Sequence, residues 1–97
     1  MIILRRGIVW DKKKNNLLVR ERGLSLETFA LMIAKRKHIA VIDNPARDGQ
    51  FICICRHDDY IHAVPFVLDR KGDIVLKTVF PSRKYQKVYG GESNEGD

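Results

Sequence analysis

The predicted fold depends on the segment Ile74-Val75-Leu76-Lys77-Thr78-Val79-Phe80-Pro81-Ser82-Arg83-Lys84-Tyr85. Its first half alternates apolar residues, which predicts a final strand. Pro81 suits the first turn of a helix, so the second half predicts a short basic helix that continues to about residue 89. Lys77 lies between Val75 and Val79 and interrupts the apolar face of the strand. A lone cation there either extends to the rim of the sheet or faces a ligand.

Three further strands precede this segment. They are predicted at Ile39–Ile42, Phe51–Arg56 and Tyr60–Leu68, and the fourth strand starts at residue 73 or 74 and ends at residue 80. Their close spacing and short turns favour an antiparallel meander. Pro65 cannot donate a ladder hydrogen bond, which predicts a sheet edge or a bulge at that point.

Two helices are predicted before the strands. Ile8–Trp10 is a first strand or an apolar packing anchor, and Asp11 is a good N-cap for a helix over Lys12–Glu21 that ends at Gly23. Ser25 caps the second helix, and four apolar residues follow the spacing of a core face: Leu26, Phe29, Ala30 and Ile33. The predicted fold class is therefore α+β, with two N-terminal helices packed on a four-stranded antiparallel sheet and a short C-terminal helix.

A chain of 97 residues is enough for one modest core. We predict a single domain over residues 1–91 and an acidic, disordered tail over residues 92–97. Cys53 and Cys55 would face the same side of a strand about 7 Å apart, too far for good disulfide geometry, and are predicted to be buried thiols. There is no apolar run long enough for a membrane span and no signal peptide, which predicts a cytoplasmic location without membrane partners.

The charge distribution predicts a polyanionic or acidic partner. The formal net charge is +6 and the sequence pI is about 9.6. Basic residues dominate in residues 1–38 and 71–91, on either side of a slightly acidic middle, so folding could place both basic blocks on one surface. Nucleic acid is the first candidate for such a domain, and an acidic protein is the second.

Several catalytic classes lack their sequence motifs. The chain has no Gly-rich phosphate loop, HExxH motif, zinc-finger spacing or nucleophile elbow. His57 and His62 flank Asp58 and Asp59, but two histidines without a third strong ligand are a weak metal site. We therefore predict no metal and no cofactor.

Cleavage of RNA without a metal is the remaining chemistry that these residue types favour. A base must remove the proton of the 2′-hydroxyl, an acid must protonate the leaving 5′-oxygen, and cations must stabilise the phosphate. The arginine of the closing segment can bind a phosphate with two parallel hydrogen bonds. The candidate catalytic residues are Arg83, Lys77, His62, His57, Arg56 and Tyr85.

Four segments, in this order and at this spacing, resemble the BrnT family of bacterial type II toxins. They are Val9-Trp10-Asp11-Lys12-Lys13-Lys14-Asn15, Glu21-Arg22-Gly23-Leu24-Ser25-Leu26-Glu27, Val64-Pro65-Phe66-Val67 and Phe80-Pro81-Ser82-Arg83-Lys84. The resemblance covers about residues 8 to 89. It implies a RelE-like α+β fold and a ribonuclease that acts without metal. It also implies a cognate BrnA-type antitoxin with a ribbon-helix-helix DNA-binding part, so that DNA is bound only through the antitoxin in complexes that repress their own operon.

The chain departs from the family pattern at two places. Many members have Lys-His-Gly where this chain has Glu21-Arg22-Gly23, and a closing Ser-Ala-Arg where it has Pro81-Ser82-Arg83. Arg83 corresponds to the closing arginine of the family. Arg22 takes the position of the family histidine and cannot transfer a proton near neutral pH. If that histidine is catalytic in the family, this protein is either impaired or uses His57 or His62 instead, and the sequence does not choose between these outcomes.

The first hypothesis is therefore a ribonuclease toxin that inhibits translation and growth. Arg83 and Lys77 would hold the scissile phosphate with support from Arg56, His62 or His57 would act as acid or base, and Tyr85 would stack or donate a proton. Further RNA contacts are predicted at Lys84, Arg22, Lys12 and Lys13. The alternative is a non-catalytic module that binds RNA or the antitoxin, and a third reading is a structural subunit for an acidic partner protein.

Overall fold

The structure is a computed structural model that describes residues 7–90, and the predicted acidic tail lies outside the described residues. The α+β class is confirmed. The strands are β1 (Ile8–Trp10), β2 (Ala40–Asp43), β3 (Phe51–His57), β4 (Tyr60–Leu68), β5 (Ile74–Leu76) and β6 (Phe80–Pro81). The helices are α1 (Lys12–Arg22), α2 (Leu26–Ala34) and α3 (Arg83–Tyr85), and α3 continues into one wide π-helical turn, Gln86–Gly90.

The sheet has six strands and is mixed, so the prediction of a four-stranded antiparallel sheet was wrong in number and direction. The main path has the order β1-β5-β4-β3-β2, and β6 pairs with β4. The predicted antiparallel meander is present from β2 to β5. The additional strand β1 pairs in parallel with β5, where Ile8 lies opposite Ile74. A parallel partner this distant in sequence leaves no turn signal, and three apolar residues are equally consistent with a packing anchor.

Helix α2 covers one face of the sheet, as its apolar spacing predicts. Phe29 and Leu26 are fully buried, and the predicted core face of Leu26, Phe29, Ala30 and Ile33 is buried throughout. These side chains pack against Cys53, Val64 and Phe66 of the two central strands. We call this side the helix face.

Helix α1 is capped as predicted but is packed less deeply than predicted. The Asp11 carboxylate accepts hydrogen bonds from the amides of Lys13 and Lys14 at 2.8 and 3.3 Å, and Gly23 ends the helix at φ 68°. No residue of α1 is buried, and it contacts the core through the partly buried Leu18. The helix therefore presents most of its lysines and arginines to solvent.

The C-terminal segment covers part of the opposite face of the sheet. A second, smaller core contains Ile52, Ile54, Ile61 and Ala63, and Phe80, Tyr85 and Tyr89 pack against it. Pro81 belongs to β6 rather than to the first helical turn, so that prediction was wrong. Ser82 is the N-cap of α3. We call this side of the sheet the open face, because no long helix lies on it.

Candidate nucleic-acid interface

A β-bulge interrupts the final strand at the residue that the sequence singles out. Leu76 lies opposite Phe66, and the Lys77 amide donates to the Pro65 carbonyl oxygen at 2.9 Å. Phe80 then lies opposite Ala63, so one extra residue has entered the outer strand over this interval. Pro65 has no amide hydrogen to return to Lys77, which weakens the ladder at the place where the bulge begins.

The bulge changes which way the side chains face. Lys77 and Val79 would share a face in a regular strand, as the sequence predicted. Instead Val79 is fully buried in the core of the helix face, whereas Lys77 and Thr78 both line a groove on the open face. The shared-face prediction was therefore wrong, and the bulge directs two consecutive polar side chains into the groove.

The start of helix α3 is fixed by hydrogen bonds to the sheet. The Ser82 amide donates to the Ile61 carbonyl oxygen at 2.9 Å, and the buried Ser82 hydroxyl accepts from the Tyr85 amide at 3.1 Å. The Ile61 amide in turn donates to Gln86 Oε1 at 2.9 Å. These bonds hold the exposed Arg83 at the groove, next to the bulge.

The groove has a volume of about 780 Å³ and is lined by cations without a carboxylate. Its floor includes Ile52, Pro65 and Phe80. The five cationic side chains are Lys14, Arg47, Lys77, Arg83 and Lys84. Within residues 7–90 the only ion pair joins His57 and Asp58 at 4.0 Å, so none of these five cations is neutralised by a described carboxylate. A concave surface with one sign of charge concentrates the field and attracts anions.

Four predicted functional residues meet in this groove. They are Lys77, Arg83, Lys84 and Tyr85. The Lys84 ammonium lies 5.2 Å from the centre of the Tyr85 ring, within the range of a cation–π contact. Tyr85 is partly buried against the second core, and its phenol joins the hydroxyls of Thr78 and Ser82 among the lining residues that can donate a hydrogen bond.

Arg56 is on the open face but lies away from the groove. Its guanidinium donates to the Tyr89 carbonyl oxygen at 3.4 Å, at the end of the C-terminal helical segment. A cation at this end of a helical segment complements the helix dipole. The structure thus gives Arg56 a contact that anchors the C-terminal segment on the sheet.

His57 and His62 are on the helix face, opposite the groove. Their ring centres are 5.5 Å apart, and they lie 5.2 and 5.6 Å from the centre of the Phe29 ring. His62 is 5% exposed, and its Nδ1 is 3.0 Å from the Tyr60 carbonyl oxygen. Burial has the largest effect and lowers the pKa of His62, the contact with the Tyr60 carbonyl oxygen acts in the opposite direction, and the net pKa is lowered. Neither histidine reaches the phosphate site that Lys77 and Arg83 would form.

We expect acid to destabilise the protein through His62. Its pKa in the unfolded chain is near 6.5 and is lower in the folded protein, so the unfolded state binds the proton more readily. The free energy of unfolding should therefore fall as the pH drops below about 6.5 and through the folded pKa. The melting temperature should fall less in His62→Gln than in the wild type between about pH 7.5 and pH 5. Equal falls would contradict this, because His38, whose pKa is also lowered, is present in both proteins.

The remaining predicted RNA-binding residues lie on helix α1 outside the groove. Lys12 and Lys13 are exposed in the first turn, beside Lys14, which does line the groove. Arg22 is exposed at the far end of the helix. Lys12 and Lys13 can extend the basic surface, whereas Arg22 is not brought to the site.

The sequence analysis missed Arg47, Lys14 and Thr78 as lining residues. Arg47 lies in the loop between β2 and β3, Lys14 in α1, and Thr78 in the bulge. Three lysines occupy the first turn of α1, where positive charge opposes the helix dipole. This unfavourable placement is the sequence signal that could have indicated a binding role for Lys14. Arg47 has no comparable signal, since an arginine in a polar loop is ordinary.

Metal-binding residues do not cluster in the part of the chain that is described: no group of three or more His, Cys, Asp or Glu side chains there could hold an ion. Cys53 and Cys55 are free and buried, as predicted. The neighbouring Cys55 side chain and burial raise the pKa of the Cys53 thiol, which keeps it protonated and unreactive.

No helix within residues 7–90 combines the length and apolar character needed to cross a membrane. The candidate site is the groove, which is assembled from the bulge, the start of α3, the first turn of α1 and the β2–β3 loop. Comparison with known proteins adds no assignment: no protein-family model, curated protein or solved structure matches this chain.

Proposed function

We propose that the protein is a ribonuclease toxin of a type II toxin–antitoxin system, which cleaves RNA without a metal and is neutralised by a cognate antitoxin. One observation carries the proposal. The groove on the open face gathers Lys77, Arg83 and Lys84 with the Tyr85 phenol and has no carboxylate in its lining. A substrate for such a site is an anion, and cation-rich sites favour phosphates.

The proposed chemistry uses the 2′-hydroxyl of RNA as the nucleophile. The 2′-oxygen attacks phosphorus and gives its proton to a solvent water, while the bond from phosphorus to the 5′-oxygen breaks and that oxygen takes a proton from the Tyr85 phenol, which solvent then reprotonates. The products are a 2′,3′-cyclic phosphate and a 5′-hydroxyl. Lys77 and Arg83 would stabilise the charge that builds up on the phosphate, and Tyr85 would donate the proton to the leaving oxygen.

The resemblance to the BrnT family supports the biological part of the proposal. The resemblance implies a RelE-like fold and a BrnA-like antitoxin as partner. It also implies that DNA is bound only through that antitoxin and that the protein acts in the cytoplasm. The exposed cations of the groove suit an acidic antitoxin segment, which would neutralise the toxin by covering Lys77 and Arg83.

Expression without an antitoxin tests this function directly. Induction of the wild-type chain is expected to stop growth and to degrade RNA, and purified protein should cleave RNA equally well with and without EDTA. Soluble protein that leaves both growth and RNA intact would refute the toxin. Cleavage that EDTA abolishes would show that a metal takes part.

A second candidate function is a non-catalytic binding module. It is favoured by the absence of any histidine from the groove lining, because His57 and His62 lie on the opposite face. Tyr85 alone is a weak replacement for an acid–base pair near neutral pH. The module would bind RNA with a strong salt dependence and leave it uncut, whereas the toxin would release cyclic-phosphate products.

A further inference from the structure

Two further cations line the groove, and they come from opposite edges of the sheet. Arg47 lies in the loop that joins β2 to β3, and Lys14 lies in the first turn of α1. Both side chains are exposed, and neither forms a hydrogen bond or an ion pair within residues 7–90. Their cationic groups are therefore available to a ligand.

The loop that carries Arg47 is closed by its own hydrogen bonds. The Asn44 amide donates to the Gln50 carbonyl oxygen at 2.9 Å, and the Asn44 side-chain nitrogen donates to Gln50 Oε1 at 2.7 Å. Asn44 Oδ1 accepts from the Ala46 amide at 2.9 Å, and the Arg47 amide donates to the Asn44 carbonyl oxygen at 3.2 Å. A loop ordered in this way presents Arg47 with little further loss of backbone entropy when a ligand binds.

Lys14 is brought to the groove by the parallel strand pair. Trp10 lies opposite Leu76, so helix α1 begins beside Lys77. Lys14 belongs to a first turn that has no acidic residue, where a positive charge opposes the helix dipole. An anion bound beside Lys14 would relieve this unfavourable interaction.

We propose that Lys14 and Arg47 bind further phosphates, one on each side of the scissile phosphate, so that the groove holds single-stranded RNA at three consecutive phosphates. Lys77 and Arg83 form the first subsite, which binds the scissile phosphate, and the two outer contacts at Lys14 and Arg47 are together called the second subsite. This assignment rests on the proposed function. The groove is large enough for more than one phosphate, since pockets of its volume enclose drug-sized ligands.

The rest of the lining favours a single strand over a duplex. Phe80 and Tyr85 offer aromatic surfaces beside the cations. Proteins that bind single strands combine a cationic groove for the backbone with aromatic side chains on which unpaired bases stack. The bases of a duplex are stacked on each other and cannot make these contacts.

Binding of a non-cleavable RNA distinguishes the contributions of the two subsites to affinity. The probe is a 2′-O-methyl hexanucleotide, compared with a nucleoside monophosphate, at several salt concentrations. Lys14→Ala and Arg47→Ala are each expected to weaken hexanucleotide binding roughly tenfold at low salt and to reduce the salt slope by about one. Binding of the monophosphate should be unchanged, since one phosphate occupies the first subsite.

Matched controls come from the turn between β4 and β5. Lys71→Ala and Arg70→Ala remove the same charges from exposed positions outside the groove lining, and should leave the hexanucleotide affinity within twofold. Equal losses in Lys71→Ala and Lys14→Ala would overturn the subsite, because they would show only an effect of net charge. Tighter binding of poly-glutamate than of the hexanucleotide would also overturn it and would assign Lys14 and Arg47 to contacts with an acidic protein.

The subsite and the proposed function fail in different ways. If the wild-type protein cleaves RNA but Arg47→Ala binds the hexanucleotide with an unchanged salt slope, the second subsite alone is overturned. If the wild-type protein leaves RNA uncut, and both variants bind the hexanucleotide more weakly and with a smaller salt slope, the second subsite is supported and the ribonuclease is overturned.

Discussion

For the ribonuclease proposed above, replacement of Arg83 by alanine is expected to reduce RNA cleavage about a hundredfold to a thousandfold, the loss that follows removal of one preorganised transition-state contact. Arg83 is exposed, and its side chain forms no hydrogen bond or ion pair within the described part of the chain. The substitution therefore removes charge from the groove and little packing. The free energy of unfolding should stay within about 0.5 kcal/mol of the wild type.

The shape of the guanidinium provides a sharper version of this test. Arg83→Lys keeps the charge but loses the pair of parallel hydrogen bonds that arginine offers to a phosphate, so its cleavage rate should fall between those of Arg83→Ala and the wild type. Arg70→Ala is the control for loss of one exposed arginine. Full activity in Arg83→Ala would contradict the assignment. Loss of activity together with a large loss of stability would indicate a structural role instead.

The sequence predicted the parts of the fold that rest on local signals. The caps at Asp11, Gly23 and Ser25 need only neighbouring residues, and the core face of α2 needs only helical spacing. The antiparallel meander follows from short turns between apolar runs. For Ile8–Trp10 the sequence left a strand and a packing anchor open, and the strand is confirmed; the sequence could not choose because the partner lies more than sixty residues away, where Ile8 meets Ile74.

The one extra residue of the bulge changes the sheet face to which the following side chains point, although the apolar alternation in the sequence is regular. The alternation of Val75, Lys77 and Val79 is real in the sequence, and Pro65 correctly indicated an edge or a bulge. The sequence could not give the register of the partner strand, so it could not show that the extra residue enters beside Thr78 rather than in β4. That register moves Val79 to the helix face and leaves Lys77 on the open face.

The candidate site was predicted where its residues are neighbours in the chain. Lys77, Arg83, Lys84 and Tyr85 were found from their density in one segment, and they line one groove. Residues that meet only through tertiary structure could not be found this way. For the same reason the sequence could not separate the histidines from the cations, since the faces of the sheet are assigned only once the strands are paired.

The second large effect is expected at Phe29. Phe29→Ala should lower the free energy of unfolding by about 3–5 kcal/mol, because Phe29 is fully buried and its loss opens a cavity between α2 and the sheet. This is a large share of the roughly 5–15 kcal/mol that stabilises a typical domain. Leu31→Ala is the matched control, since Leu31 is on the same helix but 54% exposed, and its effect should stay within about 0.5 kcal/mol. Chemical denaturation measures both changes, and equal stability of the two variants would contradict the buried role of Phe29.

Phe29 also tests which face of the sheet carries the chemistry. The milder variant Phe29→Leu should fold, and it alters the packing around His57 and His62, whose rings contact Phe29. Lys77 and Arg83 lie across the sheet and should keep their positions. We therefore expect Phe29→Leu to lose some stability and to retain its RNA affinity and cleavage rate. A folded Phe29→Leu protein with greatly reduced cleavage would place proton transfer on the histidines of the helix face and would remove that role from Tyr85.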